Sequence, residues 1–152
     1  MVKQKEIKEI RKAKKMLDHK LKAKLKERLL EILGDNDVDN GFTLVELSGG
    51  VLNKKHITEN DKKEVYHIIT SIRKDTDNCL AFRNGRYGWA KDKETVDIYR
   101  LTNIENGLKK VKSNMKKIPK NYIALGITDN PYPMINSKVK EFGVKLIEHN
   151  NQ

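Results

Sequence analysis

Cysteine is almost absent from this chain, with Cys79 standing alone. That excludes an internal disulfide and a cysteine-based zinc site. Histidine is scarce as well, and none of His19, His56, His67 and His149 lies three or four residues from another. A metal site borne on one helix is therefore not expected. Long apolar runs are missing, and none approaches the roughly 18 residues of a membrane span. The N-terminal MVKQKEIKEI has no apolar signal-peptide core. A cytoplasmic protein is the expectation. No serine sits in a nucleophile elbow, and no glycine-rich loop is patterned to hold a phosphate.

What the chain does hold is charge. Its 152 residues include 32 Lys and Arg against 21 Asp and Glu, a net +11. The length suits one ordinary domain, or a small domain with appendages. Charge of this sign and size points to a polyanionic partner. Its distribution is uneven. Residues 1–33 carry 12 basic against 5 acidic residues, residues 34–96 carry 10 against 11, and residues 97–152 carry 10 against 5. Two basic arms flank a neutral centre.

Residues 1–33 contain neither Gly nor Pro and are rich in Lys, Glu, Leu, Ile and Ala, which are good or fair helix formers. Ile7, Ile10, Leu17, Leu21, Leu25, Leu29 and Ile32 recur mostly three, four or seven apart. This predicts one long helix, or two with a break near Asp18, capped by Gly34. Its exposed Lys12, Lys15 and Lys22 are candidate phosphate contacts. GDNDVDNG (34–41) is an acidic loop. It resembles the start of a calcium loop, but Asn40 stands where the sixth-position glycine is needed and Gly41 comes one place late.

Thr43 with Glu46 forms a capping box, which predicts a short helix ended by Gly49 and Gly50. Thr58 or Asn60 then caps a third helix running to about Lys74. Val65, Ile68, Ile69 and Ile72 make its apolar stripe. Lys63, His67, Thr70 and Lys74 fall opposite, with Lys62 and Ser71 beside them. Next comes CLAFRNGRYGWA (79–90). Asn84-Gly85 favours a two-residue type I′ turn. The register then sets Arg83 against Arg86, Phe82 against Tyr87 and Leu80 against Trp89. Leu80, Phe82, Tyr87 and Trp89 share the face expected to be buried. The two arginines share the other face. Like charges directly opposite are destabilising, so the pair asks for an anion. Helix, helix, helix and hairpin over 19–92 is the order of a winged helix-turn-helix, whose third helix enters the major groove and whose hairpin touches phosphates or the minor groove.

LVEL, followed by EVYHIITSIRKDTDNCLAFRNGRYGWA with its Tyr87-Gly88-Trp89, resembles the HARE type of winged helix. That family occurs in the delta subunit of bacterial RNA polymerase, in chromatin proteins and fused to restriction enzymes. The likeness covers about 70 residues and implies a module for contacting DNA or protein.

The region 93–152 is expected to begin with a helix. Leu101, Ile104, Leu108, Val111, Met115 and Ile118 are spaced 3, 4, 3, 4, 3, a heptad seam flanked by Lys109, Lys110, Lys112, Lys116 and Lys117. The seam predicts either a homodimer interface or packing on the N-terminal helix. Pro119 is expected to close that helix. NYIALGIT (121–128), Met134 to Phe142 and VKLIEH (144–149) then read as strand, helix, strand, a small βαβ unit.

The expected fold class is thus α+β: a basic N-terminal helical arm (1–18), a winged helix domain (19–92) and a C-terminal helix with a βαβ unit (93–152). Asp129, Glu141 and Glu148 do not match a nuclease, since no strand carries an acid-any-lysine triplet after a separate Asp. No catalytic residue, metal or cofactor is called for. The expected function is binding of double-stranded DNA by a homodimer, in bacterial or phage transcription regulation or nucleoid organisation. The alternatives are a protein-contact module, such as an RNA polymerase accessory factor, and the DNA-targeting part of a restriction or defence system.

Overall fold

The computed structural model describes residues 2–150. Among them are five helices and one two-stranded antiparallel sheet. The chain divides into two compact units, Met1–Arg100 and Leu101–Gln152.

In the first unit, α1 (Val2–Leu33) is continuous, with no break at Asp18. Only its C-terminal third is anchored, where Leu29 and Leu33 are fully buried. Gly34 follows at φ +50 and donates its N–H to Leu30 O at 2.9 Å. The expected capping box opens α2 (Leu44–Leu52): Thr43 Oγ1 accepts from Glu46 N, and Glu46 Oε2 accepts from Thr43 N. Gly49 and Gly50 do not end this helix as expected. It runs three residues further than Gly49 and stops at Asn53, whose left-handed φ of 53° sends its N–H to Gly49 O. A second capping box, Thr58 with Asp61, opens α3 (Glu59–Asp75). Val65, Ile68, Ile69 and Ile72 of α3 meet Leu47 and Val51 of α2 and Leu29 and Leu33 of α1 in one core. Burying each such side chain stabilises by about 1.5–3 kcal/mol.

The hairpin, β1 (Leu80–Arg83) and β2 (Arg86–Trp89), has the expected register and turn. Asn84 and Gly85 both have positive φ, as a type I′ turn requires. Its burial departs from expectation. Leu80 and Tyr87 are buried, but so are Ala81 and Gly88 on the other face, whereas Phe82 is exposed. The reason is the acidic loop, which lies along the free edge of β2. Val38 N donates to Trp89 O, Trp89 N to Asn36 O, and Phe42 and Tyr87 exchange bonds of 2.9 and 2.8 Å. The two backbones approach closely. A Cβ on Gly88 would stand 2.4 Å from Asp37 O, and one on Gly41 would stand 2.0 Å from Tyr87 O. Arg73 ties the hairpin to α3. Its Nε donates to Leu80 O at 2.9 Å, and its guanidinium lies over the Tyr87 and Tyr99 rings at 5.6 and 5.3 Å. Its buried Nη2 has no acceptor among the described residues, so the ring faces supply its attraction. Burial raises the Tyr87 hydroxyl pKa, and Arg73 opposes that shift.

Beyond the hairpin the βαβ expectation fails, because every described element there is helical. Asp92 caps α4 (Lys93–Ala124) by accepting from Thr95 N at 2.7 Å, which also holds its carboxyl below the ordinary value. Pro119 lies inside α4 rather than closing it. It forgoes one helix hydrogen bond, and the helix continues through 120–124. The helix stops in a Schellman arrangement. Gly126 is at φ +69, Ile127 N donates to Tyr122 O, and Gly126 N donates to Ile123 O. Residues 121–124 are therefore helix, and no strand forms over 121–128. Asn130 Oδ1 accepts from Tyr132 N at 3.1 Å, and Pro131 O accepts the first helical bond from Ile135 N at 3.1 Å. They open α5 (Tyr132–Asn150), which runs straight through Gly143. The segment expected as the second strand is the end of this helix. Within this unit α5 folds back along α4, with Tyr132 and Ile135 beside Pro119 and with Val139 beside Val111.

Candidate nucleic-acid interface

The outer face of α3 follows from its periodicity. With Val65, Ile68, Ile69 and Ile72 drawn into the core, Lys63, His67, Ser71 and Lys74 are left exposed, and Lys62 and Thr70 half-buried. Lys62 pairs with Glu59 at 2.9 Å. Thr70 Oγ1 donates to Tyr66 O at 3.0 Å. The start of the helix is fixed by Asp61, whose carboxyl is held below the ordinary range. The Thr58 backbone N–H is the main cause, with Lys54 Nζ at 3.1 Å adding to it.

A groove of about 500 Å³ lies between α1 and this face. Leu25, Ala23 and Ile68 line it together with His19, Lys22, Lys26, Glu64, His67 and Ser71. Lys26 Nζ donates to Ser71 Oγ at 3.3 Å and is ion-paired with Asp75. A shallower depression of about 410 Å³ is lined by Lys62, Lys63, Tyr66 and His67 beside Leu44. His67 borders both. Of the residues expected to touch nucleic acid, Lys22, His67 and Ser71 share the groove, and Lys62, Lys63 and His67 share the depression.

Lys12 and Lys15 lie away from both, on the exposed part of α1. They nevertheless belong to the same surface. Lys8, Lys12, Lys15, His19, Lys22 and Lys26 follow one another at 4, 3, 4, 3, 4, so they share one side of the helix. This stripe spans about 27 Å at 1.5 Å per residue, and its C-terminal end is the groove. His19, Lys26 and Lys8 are not among the residues expected to touch nucleic acid. Their spacing was the available signal.

The hairpin arginines contradict the expectation of an unpaired, mutually repelling pair. Arg83 grips Asp39 in a fork, Nε to Oδ1 at 3.0 Å and Nη2 to Oδ2 at 2.7 Å. Arg86 Nη1 donates to Gly41 O at 3.0 Å and reaches Glu46 Oε2 at 3.4 Å. The anions that the pair required come from the chain itself. Asn84 stands at the turn between them.

The other loop aspartates are similarly engaged. Asp35 pairs with Lys91, and Asp37 accepts from Asn40 N and Nδ2. Among the described residues no group of three or more His, Cys, Asp or Glu is placed to hold a metal ion. No described helix is long and apolar enough to cross a membrane. No family model matches this chain, and no curated protein or solved structure matches it.

Proposed function

We propose that this chain is a DNA-binding protein of winged-helix type, acting in bacterial or phage transcription control or DNA organisation. One observation carries the reading: the basic stripe of α1 runs into the groove lined by Glu64, His67 and Ser71 of α3, where Lys26 is paired with Asp75 and Lys22 is not, so the stripe leads onto the exposed face of the third helix. Phosphates would lie along the stripe, and α3 would address a groove of the duplex. The order helix, strand-like loop, helix, helix, hairpin supports the winged-helix assignment, since the 36–42 segment pairs with the last strand. The reading requires no catalytic step and no cofactor.

A second reading, a protein-contact module such as an RNA polymerase accessory factor, draws on a different observation. The hairpin arginines are already paired, and Val45 of α2, Tyr66 of α3 and Phe82 of β1 are exposed. Fluorescence anisotropy with a random duplex separates the two. The first reading expects tight binding at low salt, with log affinity falling linearly against log salt. Changing Lys12, Lys15 and Lys22 to Ala should reduce that slope by about 0.9 per lost phosphate contact. Absence of binding at low salt would leave the protein-contact reading standing.

A further inference from the structure

Among its described residues the second unit buries one large apolar side chain, Ile135. On α4 the seam continues outward from the half-buried Met115 and Ile118, yet Leu101, Ile104 and Leu108 are 62%, 58% and 63% exposed. On α5, Ile135 is buried, but Val139, Phe142 and Leu146 continue from it at spacings 4, 3, 4 and stand 46%, 66% and 51% exposed. Each helix thus carries a heptad seam that its neighbour covers only near the turn.

We propose that these two open seams are the interface of a homodimer, in which the α4–α5 pairs of two copies form a four-helix bundle. The area suits a second copy. With Val111, the open seam residues expose on the order of 100 Å² each, or about 700 Å² per chain, close to the roughly 800 Å² that each partner gives to a standard interface. The pattern suits one too. Both seams have the same 3,4 spacing, so each can mesh with its own copy or with the other helix across a two-fold axis. The flanking charge sets a condition. Lys109, Lys110, Lys112, Lys116 and Lys117 appear in both copies and repel one another, so the association rests on apolar burial and strengthens as salt screens the lysines. An acidic partner protein would show the opposite dependence. The proposal stands apart from the DNA reading, because it needs no DNA. If both hold, one particle carries two α3 faces.

Sedimentation equilibrium of the full chain at micromolar concentration tests it. The expected mass is twice the 17.6 kDa of one chain, with dissociation falling as salt rises. The double variant Leu108→Lys with Phe142→Lys changes two exposed side chains and should sediment as a monomer with unchanged helical circular dichroism. Leu17→Lys, on the exposed apolar stripe of α1, should remain dimeric. A wild-type mass of 17.6 kDa throughout would overturn the proposal, as would loss of the dimer in Leu17→Lys but not in the double variant. A dimer without any DNA binding would uphold it while removing the DNA reading.

Discussion

Changing Asp39 to Asn probes the hairpin more sharply than changing the arginine it holds. Asp39 and Arg83 make a two-pronged pair, but their side chains are 62% and 31% exposed. A surface pair of this kind contributes about 0.2–1 kcal/mol. Asn keeps one acceptor and loses the charge, so Asp39→Asn should cost less than about 1 kcal/mol. For a chain of this size that lowers Tm by no more than about 4 °C. The effect on DNA should have the opposite sign. If Arg83 contacts phosphate in the complex, it must first leave Asp39, and the variant removes that competition. Affinity should then rise by up to about fivefold, the equivalent of 1 kcal/mol. Arg83→Ala should weaken binding at a similarly small cost in Tm. Thermal melts and anisotropy titrations at fixed salt measure both. An Asp39→Asn variant that folds normally and binds DNA no more tightly would show that Arg83 serves only to pin the acidic loop.

Three further outcomes are expected. Gly88→Ala must drive a Cβ into the Asp37 carbonyl and should destabilise by about 1–3 kcal/mol, as overpacking does; a melt within 1 °C of wild type would refute the close approach of loop and strand. The Asp61 carboxyl is depressed in the folded chain, so its stabilisation is complete above the ordinary carboxylate pKa of about 4 and is lost as pH falls through the lower folded value. Asp61→Asn should accordingly flatten acid unfolding in that window, and an acid limb identical to wild type would contradict the capping argument. Deleting residues 1–17, which are exposed where the structure describes them, should leave Tm unchanged while lowering affinity evenly for all duplex sequences. A selective loss for some sequences would mean that the arm reads bases rather than phosphates.

The elements that could be read from the sequence are those fixed by local signals. The Thr43 capping box, a helix start at Thr58 or Asn60, the apolar stripe of α3 and the hairpin register follow from residues within a few positions of one another. What could not be read depends on distant partners. Asp39 stands 44 residues from Arg83, and the pairing of 36–42 with β2 is hidden in a stretch that looks like a polar loop. With that segment against β2 the hairpin is buried on both faces, at Leu80 and Tyr87 and at Ala81 and Gly88, and Phe82 alone of the expected inner face is exposed. At the C-terminus the error lay in punctuation. Leu125-Gly126-Ile127 reads as strand by composition, but Gly after an apolar run also marks a helix end. Asn130 and Pro131 lie outside the helices, and α5 opens at Tyr132, two residues before the Met134 expected from the sequence. Pro119 and Gly143 disfavour a helix locally, and α4 and α5 run through them. The basic stripe of α1 is present in the spacing of Lys8, Lys12, Lys15, His19, Lys22 and Lys26, and is legible only when they are read as a periodic series.

The most direct test of the central claim is a two-dimensional amide spectrum of the full chain, isotopically labelled and titrated with a duplex at low salt. The DNA reading predicts shifts concentrated at Lys22, Lys62, Lys63, His67, Ser71 and Lys74, extending along the α1 stripe and to the hairpin turn at Asn84 and Gly85. Shifts confined to residues 101–150, or none at all, would contradict it.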